Sequence, residues 1–127
     1  MRLLLDTHAL LWWLAGSARL SHPAREAIAG GEEVWVSAAS AWEIATKLRL
    51  GRLPGAEALE TGLGAHLAAQ GFAALPITLA DGEAAGRLPG PHQDPFDRML
   101  IAQALARDLA LVSLEAPFDA YGVRRVW

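Results

Sequence analysis

The sequence predicts an α/β domain in which a parallel sheet is covered by helices on both faces. Three observations carry this. Short apolar runs alternate with helical segments along the whole chain, the pattern of strands joined by crossover helices. The first run, Arg2 to Leu5, is apolar up to Asp6 and reads as a buried strand, as a parallel sheet covered on both faces requires. The chain has 127 residues, with no repeat, linker or low-complexity tract, so one domain spans 1–127, and a 53% hydrophobic content supplies its core.

The elements follow in order. Arg2 to Leu5 is a strand that ends at Asp6, and Thr7 to Ala15 is an apolar helix broken by Gly16 and Ser17. Ser21 and Pro23 open a second helix that stops at Gly30 and Gly31. Glu33 to Val36 is the second strand. Ser37 to Ser40 leads into a helix reaching about Leu50, and Ala38, Ala41, Trp42, Ala45 and Leu48 form its expected apolar face. Pro54-Gly55 makes a turn. Ala56 to Gln70 reads as one amphipathic helix weakened by Gly62 and Gly64. Ala73 to Ile77 is the third strand, and Thr78 caps a short helix through Ala85. A rigid loop at 88–91 delivers the chain to Asp94-Pro95, an N-cap followed by proline at the first helical position. That helix places Asp97, Leu100, Ile101 and Ala104 on one face and is apolar nearly all round, so it is expected to be buried. Asp108 ends it. Ala110 to Leu114 and Val123 to Val126 are the last strands, with a turn or short helix at Ala116 to Ala120 between them.

Bulk properties narrow the function. A net charge of −3 argues against a protein that holds nucleic acid by charge alone, but leaves room for a nuclease whose own carboxylates lower the total. The absence of cysteine excludes disulfides, zinc–thiolate sites and cysteine catalysis. No secretory signal and no apolar stretch of transmembrane length is found, so a cytoplasmic protein without membrane contact is expected.

The chemistry lies in the acids. Asp6 ends the first strand, Glu43 sits early on the helix after the second, Asp97 opens the helix before the fourth, and Glu115 follows the fourth. All four can meet at the carboxyl edge of one parallel sheet, where sites of such sheets lie. Each also has a structural role open to it. Asp6 and Asp94 can cap helices. Glu43 can close a capping box with Ser40 or pair with Lys47. Asp97 can act as a capping-box acceptor or pair with Arg98, and Glu115 can be solvated. Carboxylates gathered in one place repel unless a cation sits among them, and oxygen donors without thiolates suit Mg²⁺ or Mn²⁺. Such ions activate water and neutralise phosphoryl oxygens. An aspartyl-phosphate enzyme is disfavoured, because residue 8 is His rather than a second acid and Lys47 is the only lysine.

Leu3-Leu4-Leu5-Asp6-Thr7-His8, Ser40-Ala41-Trp42-Glu43-Ile44 and His92-Gln93-Asp94-Pro95-Phe96-Asp97-Arg98 resemble the PIN-domain ribonucleases, and more narrowly the VapC-type toxins of type II toxin–antitoxin systems. The resemblance runs to the ending, Tyr121 to Trp127. It implies a five-stranded parallel sheet and metal-dependent cleavage of RNA, with Asp6, Glu43 and Asp97 as catalytic acids that also ligate Mg²⁺ or Mn²⁺. Asp94 matches an additional acid of the subgroup, near the metal or a cap. Glu115 stands where the family often has an Asp, one methylene shorter, so a contact through water is open to it. Lys47, Arg49, Arg98 and Ser113 are candidate RNA contacts, with Arg52 extending the basic segment. A cognate antitoxin and a homodimer are the implied partners, and the apolar excess of the Thr7–Ala15 helix, with Trp12 and Trp13, is the expected partner surface. A non-catalytic PIN-like binding domain and a DNA-directed nuclease relative are the alternatives.

Overall fold

The computed structural model describes all 127 residues. Five strands form one parallel sheet: β1 (Arg2–Leu5), β2 (Glu33–Ser37), β3 (Ala73–Leu75), β4 (Ala110–Val112) and β5 (Arg125–Val126), in the order β3-β2-β1-β4-β5. Six helices cover it: α1 (Thr7–Ala15), α2 (His22–Ala29), α3 (Ala38–Arg49), α4 (Gly64–Gln70), α5 (Leu79–Arg87) and α6 (Pro95–Arg107). Strand β1 is central, with Leu5 opposite Val36 on one side and Val112 on the other. The chain leaves β1 towards β2 and later crosses to β4, so the order reverses beside β1, where a crevice opens at the carboxyl ends.

Side chains of a strand alternate between faces. Leu3 and Leu5 accordingly pack with Leu10, Ile28, Val34, Val36 and Ile44 on one face of the sheet. Leu4 packs on the other with Leu75, Leu100, Ile101, Leu111 and Phe118. Burying one such Leu or Ile fully is worth about 1.5–3 kcal/mol relative to exposure. Helix α6 is buried over Leu100–Ala104, as its all-round apolar character predicts, and even Gln103 is fully enclosed.

Three expectations are corrected. The helix expected over 56–70 is two pieces, a 3-10 turn at Glu57–Thr61 and α4, separated at Gly62, whose φ of 118° no helix accommodates. Strand β3 stops at Leu75, before Pro76, which has no N–H to give to a ladder. Helix α3 turns inward the side that carries Ala39, Ser40, Glu43 and Ile44, leaving Ala38, Ala41, Trp42 and Ala45 exposed, so that of the apolar face read from spacing only Leu48 packs against the core. Two inward polar groups explain the rotation. The Thr7 hydroxyl donates to Ser40 Oγ at 2.9 Å inside the protein, and Glu43 is drawn in beside it on the same helical side.

The tryptophans of the expected partner surface are partly covered from within, while Leu11, Trp12 and Leu14 still line an open cleft. Trp12 packs on Trp127, and Trp13 packs on Phe72 and donates its indole N–H to Gln70. The exposed tryptophan is Trp42, at 63%, which lines one shallow pocket with exposed Ile77, and Leu79 two residues on is exposed as well.

Helices α5 and α6 are locked by a group that the spacing does not foretell. Thr78 and Asp81 form a reciprocal capping box, and the buried Asp81 carboxylate also receives both prongs of Arg107, at 3.0 Å each, and the amide of Gln103. Arg107 above all, with the Thr78 and Gln103 hydrogen bonds, holds Asp81 far below the usual carboxylate range.

Candidate metal centre at the carboxyl edge of the sheet

Asp6 is the first residue beyond β1 and the N-cap of α1. Its Oδ1 accepts the Ala9 N–H at 2.8 Å. It is 5% exposed, and burial pushes its carboxyl up, against the Ser113 hydroxyl, the Ala9 N–H and His8, which favour the charge. Glu115 pushes it further up, so residues 113 and 115 beyond β4 face Asp6 across the switch point. The side chain of Ser113 also accepts the Glu115 N–H, shaping that loop.

Asp97 and Glu43 form the second half of the site. Asp94 caps α6 through Oδ1, which takes the N–H groups of Phe96 and Asp97. Proline at the first helical position leaves the cap geometry intact and puts Asp97 in the first turn. Burial raises Asp97 first, His92 opposes this through a 2.8 Å contact between Nε2 and Oδ2, and Asp94 and Glu43 raise it again. Glu43 is buried, and its Oε2 receives Lys47 Nζ at 2.6 Å. The Thr7–Ser40 bond joins the halves, since Thr7 follows Asp6 and Ser40 lies one turn before Glu43.

The sequence-predicted acids are thus gathered along one edge in two groups: Asp6 with Ser113 and Glu115, and Asp97 with Glu43 and Asp94. As they stand, no three of them close to ion-holding range. Lys47 and His92 occupy the places of counter-ions on Glu43 and Asp97. The second oxygen of each of these two carboxylates has no protein partner. Several structural roles open to the acids are real: Asp6 and Asp94 are caps, and Glu43 pairs with Lys47. The Ser40 capping box is not, because Ser37 caps α3 and the Ser40 hydroxyl is taken by Thr7.

Arg98 does not pair with Asp97. Its guanidinium donates to the carbonyls of Ala85, Leu88 and His92, fixing the loop before its own helix. An RNA contact by Arg98 would have to share those donors. Arg49 is exposed and has no partner. His92 flanks Asp97 in the sequence, which suggests a hydrogen-bonding neighbour of that acid, and the 2.8 Å contact between Nε2 and Oδ2 makes it one. Tyr121 was not singled out at all: its hydroxyl accepts the His92 N–H at 3.0 Å, and the His92 ring stands edge-on to Phe118. Only the fold brings residues 92 and 121 together.

The sequence matches the PIN domain over residues 3–123. The chain belongs to the PIN-domain family. No curated protein matches it significantly. Among solved structures, this PIN domain is similar to the Mycobacterium tuberculosis toxin VapC20, described as cleaving the sarcin–ricin loop, with a TM-score of 0.70 and 20% identity over 95% of each chain. It is similar to a chain of VapBC2 from Rickettsia felis bound to a promoter DNA fragment, with a TM-score of 0.69 and 14% identity over 98% of this chain and 97% of that one. FitAcB from Neisseria gonorrhoeae gives a TM-score of 0.68 and 18% identity over 97% and 95%. At these identities the likeness is one of fold. No helix of the PIN domain is long and apolar enough to cross a membrane.

Proposed function

We propose that this PIN domain is a divalent-metal-dependent endoribonuclease acting as the toxin of a toxin–antitoxin pair. The observation that supports the reading is that Asp6, Glu43 and Asp97 stand along one carboxyl edge of the sheet in two neighbouring groups, with Asp6 and Asp97 both driven upward by burial. That burial cost is one a cation relieves. The donors are carboxylate oxygens without thiolates, which fits Mg²⁺ or Mn²⁺ in kind. Asp6, Asp97 and Glu43 would hold the ion, using the oxygens free of Lys47 and His92, with Glu115 and Asp94 at its margin. When bound, it supplies an activated water and neutralises charge on the phosphate.

The chain's own residues do the rest. The Ala9 N–H and the Ser113 hydroxyl fix the Asp6 carboxylate. His92 orients Asp97, and the buried environment keeps bulk water from screening the acids. Lys47, released from Glu43, lies at the site's rim for an RNA phosphate, and Arg49 follows two residues later on the exposed side of α3. VapC20 and the complexes above support the RNA substrate and the antitoxin partner by analogy of fold. A second copy of the chain is the proposed cover for exposed Trp42, Ile77 and Leu79, and a monomer by light scattering at all concentrations would remove it.

The deciding experiment is cleavage of total RNA by the purified protein with Mn²⁺ and with EDTA, beside the Asp97→Asn variant. Cleavage lost with EDTA and with the variant is expected; unchanged cleavage by the variant refutes the assignment. DNA offered in parallel distinguishes a DNA-directed relative. A second reading, a PIN-like domain that binds without catalysis, is favoured by the acids standing apart and holding structural roles. It predicts no rise in melting temperature with Mn²⁺.

A further inference from the structure

The eleven basic side chains can be accounted for one by one. Arg2, Lys47, Arg87, Arg107, Arg124 and Arg125 pair with carboxylates. Arg25 and Arg98 are satisfied by backbone carbonyls. Arg19, Arg49 and Arg52 are left, all exposed and all without a protein partner. These three are free to meet an anion from outside the chain. Arg49 and Arg52 close α3 and follow it, while Arg19 follows α1.

Arg19 and Arg52 line one cleft of about 530 Å³ between α1 and the segment after α3, within the range of ligand sites. His8, Trp12, Leu59 and His66 line it too, and no carboxylate does. Trp12 forms a short aromatic ladder, with His8 at 5.6 Å and Trp127 at 5.7 Å between ring centroids. His8 also lies near enough to Asp6 to favour its charge, so the cleft begins beside the acidic edge. Aromatic faces flanked by free cations are what sequence-tolerant single-strand binding uses: bases stack and phosphates pair.

We propose that this cleft binds a single-stranded RNA segment leading away from the acidic site, a base lying against Trp12 and its phosphates on Arg19 and Arg52. The proposal rests on the ribonuclease reading for its choice of RNA, but its test does not require cleavage. Fluorescence anisotropy with a labelled single-stranded oligoribonucleotide is measured in EDTA, using the Asp97→Asn protein as the hydrolytically silent parent. In that background Arg19→Ala with Arg52→Ala should weaken binding about tenfold or more, as loss of two charge-assisted contacts implies. The dependence of log K on log salt should flatten by about 1.4, from about 0.7 for each lost phosphate contact on a single strand. Arg87→Ala with Arg124→Ala removes the same charge from paired cations elsewhere and should leave affinity within about twofold. Unaltered circular dichroism melts confirm that both variants fold.

Equal weakening by both double variants would reduce the effect to net charge and overturn the proposal. Unchanged affinity in the Arg19/Arg52 variant overturns it as well. If that variant instead loses affinity only for a leucine–glutamate peptide, the cleft holds an acidic peptide and the RNA assignment falls. Failure of Mn²⁺-dependent cleavage by the wild-type protein would sink the nuclease reading while leaving the anisotropy result standing.

Discussion

Gly90→Ala tests the support of Asp97 from a distance. Gly90 has a φ of 107°, and a Cβ there would stand 2.7 Å from Tyr121 Oη and 2.9 Å from its ring carbon Cζ. Two costs add. A side-chain-bearing residue at such a φ costs about 1–3 kcal/mol. Pushing Tyr121 aside breaks its hydrogen bond with the His92 N–H, worth about 1 kcal/mol. The sum is about 2–4 kcal/mol. Unfolding entropy of about 2.1 cal/mol/K per residue gives about 0.27 kcal/mol/K for this chain, so the melting temperature should fall by roughly 8–15 °C. Circular dichroism melts measure it. Tyr121→Phe in the same chain removes the nearest clashing atom and should recover part of the loss, a non-additive pair as expected for touching side chains. Because Tyr121 and Arg98 hold the loop that sets His92 on Asp97, Mn²⁺ binding followed by calorimetry should weaken as well. A Gly90→Ala protein that melts within about 2 °C of wild type would refute this account of the loop.

Further predictions concern the acids. Asp97→Asn should abolish metal-dependent RNA cleavage while the far-ultraviolet spectrum stays unchanged, since Asp94 rather than Asp97 caps α6. The folded protein raises Asp6 and Asp97 above their unfolded values, so it binds their protons more tightly, and these two groups lower stability as pH rises through that interval. Metal-free Asp6→Asn should therefore melt higher than wild type at neutral pH but lose the Mn²⁺-dependent gain; an equal Mn²⁺ gain in both would remove Asp6 from the ion. Asp81 runs the other way. Its depressed value contributes stability fully present above the unfolded value near 3.8 and lost as pH falls towards the folded one. Breaking the buried pair with Asp81→Asn should cost about 3–5 kcal/mol in urea unfolding at neutral pH and remove that acid sensitivity.

Much of this was written locally. Apolar runs gave the five strands, and Asp6, Asp94-Pro95 and the glycine breaks gave most helix ends, because caps and turns are short-range chemistry. The acids that gather at the edge were legible for the same reason: each follows or opens an element whose direction a parallel sheet dictates. The rotation of α3 was not. Spacing ranked Trp42 as core, while the pull of Thr7 on Ser40 decided the matter from another element. Nor could spacing assign the Asp81–Arg107 pair, the three carbonyls under Arg98 or the Tyr121–His92 bond, whose members lie 26, 6 to 13 and 29 positions apart. The break at Gly62 was signalled by composition, yet only its backbone angle turns a weak helix into two pieces.

Strand β1 sits in the middle of the sheet, and its neighbour β4 lies more than a hundred positions later. A folding chain therefore carries one flank of its central strand open until β4 pairs with it. Contacts of such sequence separation form late and slowly. Asp6 and Asp97 are separated by most of that interval, so only the closed sheet sets them along one edge. The acidic edge is therefore assembled only when the sheet has closed on both sides of β1, so its geometry stands or falls with the whole fold.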